Sequence, residues 1–253
     1  MAAVHDQLRR FTAGTVLLAG VLTLAGCTSD AATPGGTGQP APMASSALPA
    51  DPAAALAQAA SRLGTESARF TVIFGKGERS EEKASGTVDP ATGDWELIGD
   101  AYVVRRIGND LYVKLTAEPR FSVYAGQYAD DLGKWVHQVA PEPSGTVLAF
   151  GTDFPWTPAR AASGMSGPAR TADRMFQGTV KAGARAATDP VCTAELDVAG
   201  RFSRISTDAD AVEPATVLTY SDYGLPVTIT APPAEQTIED HLFTFAQLGT
   251  IFA

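Results

Sequence analysis

The sequence contains little of what catalytic and metal sites usually require. It has two cysteines and three histidines in 253 residues. Two cysteines cannot build a disulfide framework, and no Cys-x-x-Cys pair is present to bind zinc. The sequence also has no Gly-x-Ser-x-Gly elbow, no His-Glu-x-x-His helix and no phosphate-binding loop. These absences predict a protein that is not an enzyme and has no cofactor or metal site.

Positive charge is also scarce. The formal net charge is -9 and the isoelectric point is near 4.8, whereas nucleic-acid binding needs a basic face that neutralises phosphates. Hydrophobic residues make up 45% of the chain, which is ordinary for a globular protein and excludes disorder of the whole chain. We therefore expect a folded protein that does not bind nucleic acid.

The N-terminus has the order of features of a bacterial processing signal. Arg9 and Arg10 precede an apolar run over residues 11–24, which is short for a membrane span. Residues 24–27, Leu-Ala-Gly-Cys, resemble the lipobox, in which the cysteine thiol receives diacylglycerol and the chain is cut before it. We predict a lipoprotein signal peptide over residues 1–26 and lipidation of Cys27. The alternatives are an ordinary secretory signal and an uncleaved anchor.

Residues 27–50 are predicted to be the lipidated cysteine and a flexible tether. The segment is rich in Pro, Gly, Ala, Ser and Thr, carries one charge (Asp30) and has no hydrophobic periodicity. Acyl chains add about 0.8 kcal/mol per buried methylene, so the lipid supplies a stable anchor. We expect the protein on the outer face of the cell membrane, with the membrane as its first partner.

Residues 51–253 read as one domain that is mainly antiparallel β. Asp51-Pro52 predicts the start of a helix over residues 53–63, with Gly64 as its stop. Turn residues separate about eleven strand-like segments. These are residues 69–74, 84–88, 94–98, 102–107, 111–115, 134–139, 176–181, 191–198, 202–206, 216–220 and 227–230.

Two segments break this pattern. Residues 141–174 are rich in Pro and Gly, and we expect them to form a cover over the sheet, with a short helix from Thr157-Pro158 to Met165. Residues 237–240 resemble a helix-capping box, so the tail over residues 237–253 is expected to be helical. That tail packs on the end of the sheet, or it forms a lid or a partner-binding helix.

The large apolar side chains are the candidates for ligand contact. Such side chains form the core of a domain of this size or line an acyl-binding cavity, and the sequence does not say which sheet face is concave. The candidates are Trp95, Leu97, Tyr112, Trp135, Phe150, Phe154, Trp156 and Met165.

A cysteine–histidine pair is the remaining route to catalysis. Cys192 with His137 or with His241 is possible by composition, but Cys192 stands in an apolar strand with nothing to lower its pKa. We therefore interpret Cys192 as a buried thiol, His137 as a solvated strand residue and His241 as a polar residue of the tail.

Four motifs resemble one lipoprotein family. Residues 197–204 match its Asp-x-x-Gly-Arg-x-x-Arg turn, and residues 220–232 match its Ser-Asp-[Phe/Tyr]-Gly-x-Pro-Val-Thr-Ile segment. Residues 110–114 and 133–136 are similar to its Leu-Tyr-Val-Lys and Gly-Lys-Trp runs. The chain thus resembles actinobacterial lipoproteins of the LppX/LprG type, which are related in fold to the LolA/LolB-like periplasmic carriers. The resemblance implies an α+β fold: a strongly curved antiparallel sheet, or half-barrel, with helices covering its concave face.

The resemblance also implies a function. Several members of this family carry lipids or glycolipids across the envelope, so we expect a lipid, a glycolipid or another apolar ligand, and an envelope transporter as a further partner. The Gly/Pro/Arg-rich residues 163–174 depart from the apolar covering helices of the family. The alternative function is therefore a structural or partner-binding surface lipoprotein with the same fold and no ligand cavity.

Overall fold

The computed structural model describes residues 47–78, 81–116, 131–139, 154–181, 188–209 and 215–239. The chain divides into two units, Met1–Ala41 and Pro42–Ala253, and every described residue belongs to the second. The predicted signal peptide, Cys27, Phe150 and residues 240–253 lie outside the described residues.

Helix α1, Pro52–Leu63, begins and ends where the sequence predicts. The Asp51 carboxylate accepts hydrogen bonds from the backbone N–H groups of Ala53 and Ala54, and a proline occupies the first helical position. The helix ends at Gly64, whose N–H donates to the Ala60 carbonyl. The residues it buries are Ala55, Leu56, Ala59 and Leu63, all completely.

The described strands form one open sheet of twelve strands. In spatial order they run β12-β6-β5-β4-β3-β2-β1-β11-β10-β9-β8-β7. Every pair is antiparallel except β12 and β6, which are parallel. Their bounds are β1 Ala68–Phe74, β2 Glu82–Asp89, β3 Asp94–Gly99, β4 Tyr102–Ile107, β5 Asp110–Leu115, β6 Trp135–Val139, β7 Ser166–Ala172, β8 Met175–Thr179, β9 Val191–Leu196, β10 Phe202–Thr207, β11 Thr216–Ser221 and β12 Thr237–Glu239.

Local turn chemistry produces the hairpins of the β2–β5 half. The β2–β3 connection has Gly93 at φ 77°, and the Asp89 carboxylate accepts a hydrogen bond from the Ala91 N–H. The β4–β5 connection has Gly108 at φ 58°, and its N–H donates to the Asp94 carboxylate. Both connections are among the turn-residue segments that separate the strand-like segments of the sequence.

One face of the sheet carries the core. In β1, β3, β4, β5 and β9 alternate residues are buried there, because successive side chains of a strand point to opposite faces. Registered neighbours such as Phe70 and Tyr220, or Val104 and Val113, lie on this face. Buried residues of both helices belong to the same cluster.

Helix α2, Trp156–Ser163, is joined to both α1 and the sheet by hydrogen bonds. The Trp156 indole N–H donates to the Leu63 carbonyl over 3.3 Å, which satisfies one of the unpaired carbonyls in the last turn of α1. The Tyr220 hydroxyl donates to the Pro155 carbonyl over 2.8 Å. The short helix predicted from Thr157-Pro158 is therefore confirmed, with bounds one or two residues earlier.

Two of the four motifs that carry the resemblance, residues 197–204 and residues 220–232, meet in space. The Asp197 carboxylate accepts from the N–H groups of Ala199 and Arg201 and from the Arg201 side chain. The Arg201 guanidinium lies 4.6 Å from the centre of the Tyr223 ring, and the Tyr223 hydroxyl donates to the Phe202 carbonyl. These contacts fix the β9–β10 turn against the segment that follows β11.

The predicted cover over residues 141–174 is wrong in its last part. Residues 166–172 form the edge strand β7, which pairs with β8 through two irregular registers. Gly167 has φ 58°, as in a bulge. Pro168 has no N–H, and it is tolerated because one side of an edge strand makes no backbone hydrogen bonds to a neighbouring strand. Gly167 and Pro168 of the predicted cover are thus residues of a bulged sheet edge.

The strand predicted over residues 227–230 is also wrong. Residues 222–236 lie outside the sheet ladder and connect β11, in the middle of the sheet, to β12 at its edge. Pro226, Pro232 and Pro233 have no N–H to give to a ladder. We call residues 222–236 the strap.

The predicted capping box at residues 237–240 is not a helix start. Thr237–Glu239 forms β12, which extends the sheet beside β6. The remainder of the predicted tail helix lies outside the described residues.

The coarse fold prediction is confirmed: the described residues form a mostly antiparallel open sheet with two helices. Strong curvature and helices on a concave face remain predictions.

Candidate functional site

A pocket of about 310 Å³ opens where the two helices approach the β2–β3 turn. We call it the helix–turn pocket. Its lining residues come from the end of α1, the β2–β3 turn, β4 and α2. They are Ala60, Gly64, Pro90, Gly93, Arg106, Trp156, Ala159 and Arg160.

The pocket combines an apolar wall with two cations. The Trp156 indole, Pro90 and the two alanines are apolar, while Arg106 and Arg160 bring guanidinium groups. Trp156 is 9% exposed and its N–H is already bonded to the Leu63 carbonyl, so its ring is held in place. The Arg106 Nε–H donates to the Gly108 carbonyl over 3.0 Å, which orients that guanidinium. The pocket therefore presents both apolar and positively charged surface to the solvent.

Four predicted contact residues lie together in the core rather than at the pocket. Trp95 and Leu97 are completely buried, and Phe154 and Met165 are nearly so. The Phe154 ring packs edge-on against Phe70 at 5.6 Å and against Trp95 at 5.9 Å between centroids. Of the predicted residues within the described ranges, Trp156 is the one that lines the helix–turn pocket.

Tyr112 and Trp135 lie on the sheet face opposite the core cluster, which we call the outer face. The register pairs Tyr112 with Arg105 and Trp135 with Lys114, all on this face. The Arg105 guanidinium lies 4.7 Å from the Trp135 ring centre, and its Nη1 donates to the Thr230 carbonyl of the strap. The structure therefore does not bring Tyr112 and Trp135 together with the other predicted contact residues.

His137 is not the solvated strand residue that the sequence suggested. Its Nε2 lies 2.9 Å from the Asp110 carboxylate and its Nδ1 lies 2.9 Å from the Glu239 carboxylate. Its ring stacks on Tyr112 at 4.8 Å. Burial lowers the pKa of His137, but the hydrogen bonds and charges of Asp110 and Glu239 outweigh it, and the pKa is raised. This cluster joins β5, β6 and β12.

Cys192 is a completely buried residue of β9. Burial, with a further contribution from Asp208, raises the pKa of the Cys192 thiol to about 11. The thiolate is the nucleophilic form, so this environment disfavours cysteine chemistry at neutral pH. The prediction of a buried thiol is confirmed.

Arg106, Arg160 and Pro90 line the pocket but are not among the residues that the sequence predicts for ligand contact. No motif marks them: Arg106 precedes a hairpin turn and Arg160 stands on a short helix. Within the described residues, no three His, Cys, Asp or Glu side chains are arranged so that they could hold a metal ion. In the same part of the chain, no helix is both long and apolar enough to span a bilayer.

No protein-family model and no curated protein sequence matches the chain. Among solved structures, it is similar to an uncharacterised conserved protein from Thermus thermophilus, with 12% identity over 74% of this chain and 97% of that chain and a TM-score of 0.39. It is also similar to a LolA superfamily protein from Nitrosomonas europaea, with 12% identity over 69% of this chain and 93% of that chain and a TM-score of 0.30.

Proposed function

We propose that this chain is a non-catalytic lipoprotein of the LppX/LprG type that binds or carries a lipid or another apolar ligand. The proposal places it on the outer face of the cell membrane, anchored through lipidated Cys27 and a tether over residues 28–50. An envelope transporter is the proposed partner that receives or delivers the ligand.

The observation that carries this proposal is the helix–turn pocket, about 310 Å³ in volume, with the Trp156 indole in its wall. Its volume lies at the lower end of the range of about 300–1,000 Å³ found for ligand pockets, and apolar and polar surface share its lining. The high pKa of Cys192 supports a binding role over cysteine catalysis, because the thiol stays protonated at neutral pH.

The test fills the pocket from α1. Ala60 lines the pocket, and replacing it with Leu adds a branched side chain into the ligand space. We expect Ala60→Leu to lower the amount of lipid that co-purifies from a native host at least about tenfold, because a single methylene in an apolar pocket already changes binding by about tenfold or more and Leu adds an isopropyl group. The measurement is mass spectrometry of organic extracts, normalised to protein.

Ala57→Leu is the matched control, because Ala57 is an exposed residue of the same helix and does not line the pocket. It should leave lipid content unchanged. Equal lipid loss in both variants, or equal retention in both, would contradict a ligand site in this pocket.

A structural or partner-binding lipoprotein is the second candidate, and one observation favours it. Phe154 fills the space between the start of α2 and the sheet, with its ring against Phe70 and Trp95. Such packing leaves little room for an acyl chain under the helices. Repeated absence of co-purifying lipid from the unmodified protein would support this second function.

A further inference from the structure

The helix–turn pocket is separated from the core by side chains of α2. Trp156 and Ala159 belong both to the pocket lining and to the core cluster, and they are 9% and 2% exposed. Phe70, Trp95 and Phe154, whose rings pack together between α2 and the sheet, do not line the pocket. The volume of about 310 Å³ is therefore not the mouth of a larger space among these rings.

Two glycines on the core face of the described strands show how closely that face is filled. A Cβ built on Gly86 of β2 would lie 2.5 Å from the Phe70 ring, and one built on Gly178 of β8 would lie 2.8 Å from the Met165 sulfur. Carbon atoms in contact are normally about 3.5–4.0 Å apart, so neither position has room for even a methyl group. An acyl chain cannot pass between the sheet and these side chains.

The volume of the pocket limits how much of a ligand can enter. An apolar cavity of about 150 Å³ in another protein binds benzene, which has six carbons. A pocket of about 310 Å³ is about twice as large, so it accommodates about twelve non-hydrogen atoms. A diacyl lipid carries two chains that each cross about half of a hydrocarbon core of about 30 Å, and together they exceed this volume.

We infer that the pocket takes the end of one apolar chain, roughly eight to twelve carbons long, and does not enclose a diacyl lipid. This inference rests on the proposed function and names the size class of the ligand at the same site. Trp156 sets the limit, because its hydrogen bond to the Leu63 carbonyl holds the ring between the pocket and the core. The rest of a longer molecule remains outside.

The experiment measures how the affinity for neutral straight-chain alcohols depends on their length. Hexanol, octanol, decanol, dodecanol and hexadecanol are titrated calorimetrically into the purified full chain in non-ionic detergent. These probes carry no charge, so the charged groups near the pocket do not distinguish them. Each affinity is expressed relative to the partition of the same alcohol into protein-free micelles, which removes the constant gain of about fourfold per methylene.

We expect this relative affinity to change less than about threefold from hexanol to decanol and to fall at least about tenfold from decanol to hexadecanol. The fall follows because methylenes beyond the limit gain neither the pocket wall nor the micelle interior.

Two variants should move the limit in opposite directions. Ala60→Leu adds three carbons to the lining, and it should weaken the relative affinity for decanol at least about fivefold while hexanol changes less than about twofold. Trp156→Leu removes the indole, and it should strengthen the relative affinity for hexadecanol at least about fivefold. A general loss of stability cannot produce both shifts. Ala57→Leu, on the exposed side of α1, is the control and should leave the limit unchanged.

The outcomes separate this inference from the proposed function. A relative affinity that stays level through hexadecanol would overturn the size limit and leave an apolar-ligand site standing. A fall beyond decanol that neither Ala60→Leu nor Trp156→Leu moves would show that another part of the protein sets the limit, and would overturn the inference for this pocket. Failure of every alcohol to bind would overturn the inference and the proposed site together.

Discussion

At the scale of the residue, the packing between Gly99 and Tyr102 bears on whether space for a ligand exists at the end of β3. A Cβ built on Gly99 would lie 2.4 Å from the Tyr102 ring. That ring is 3% exposed, so it has little freedom to move aside. The tyrosine thus occupies the space that a side chain or a ligand would need beside β3.

We therefore expect Gly99→Leu to destabilise the protein. Overpacking a well-filled core costs about 1–3 kcal/mol, whereas a leucine facing an empty cavity would cost little. The free energy of unfolding from urea titration measures the difference. In a Tyr102→Ala background the ring is gone, and the same substitution should cost less than in the unmodified protein. Equal costs in both backgrounds would mean that the Tyr102 ring does not limit the space at Gly99.

At the scale of the element, β12 is joined to the sheet by three registered residues and by the side chain of His137. The parallel pairing places Glu239 opposite His137, and Asp110 of β5 bonds the other ring nitrogen. The charged and titratable groups facing His137 are therefore Asp110 and Tyr112 from β5 and Glu239 from β12. A protonated imidazole donates to both carboxylates, whereas a neutral imidazole donates to one.

The attachment of β12 should therefore depend on pH. Because the folded-state pKa of His137 is raised above its ordinary value of 6.5, its stabilising effect is fully present below pH 6.5 and is lost as the pH rises through the folded-state pKa. We expect the difference in unfolding free energy between the unmodified protein and His137→Gln to shrink from pH 6 to pH 9. The protection factors of the β12 amides against hydrogen exchange, which correct for the intrinsic rise of exchange with pH, should fall over the same range.

Gln138→Asn is the control on the same strand, since Gln138 is the next residue and is registered with Leu111 instead. Its effect should not vary with pH. A His137→Gln effect that stays constant from pH 6 to pH 9 would contradict the attachment described here.

At the scale of the whole molecule, two cysteines have separate expected roles. Cys27 ends the lipobox-like segment, and Cys192 is a completely buried residue of β9. The predicted lipid would join the domain to the membrane through a segment of about two dozen residues, whose end-to-end distance scales as about 5–6 Å multiplied by the square root of their number. The acidic body gains no attraction from an anionic leaflet, so anchoring depends on the lipid.

Cys27→Ser should abolish metabolic labelling with a radioactive or clickable fatty acid. It should also leave a precursor or a differently cut form, since the thiol is the acceptor of the lipid. Cys192→Ser, the matched control, should keep the label. Carbonate-resistant membrane retention of Cys27→Ser without any label would show that the apolar run over residues 11–24 is itself the anchor.

The sequence by itself determined the features that depend on neighbouring residues. Asp51, Pro52 and Gly64 fix the ends of α1, and the Gly, Asn and Asp residues of the β2–β3 and β4–β5 connections fix two hairpins. Spacing by two residues places Trp95 and Leu97 on one face of β3, and both are completely buried. Each of these depends on backbone geometry and on hydrogen bonds that close within a few residues.

Only the tertiary structure decided what depends on distant partners. The extended strap and the bulged edge strand β7 have similar Gly/Pro content, but only β7 has an antiparallel neighbour that accepts its irregular register. The pairing of β6 with β5 puts Trp135 on the same face as Tyr112, and the core cluster on the opposite face makes theirs the outer face. Arg106 and Arg160 become pocket residues because helix packing brings α2 to the end of β4, and no local sequence signal encodes that approach.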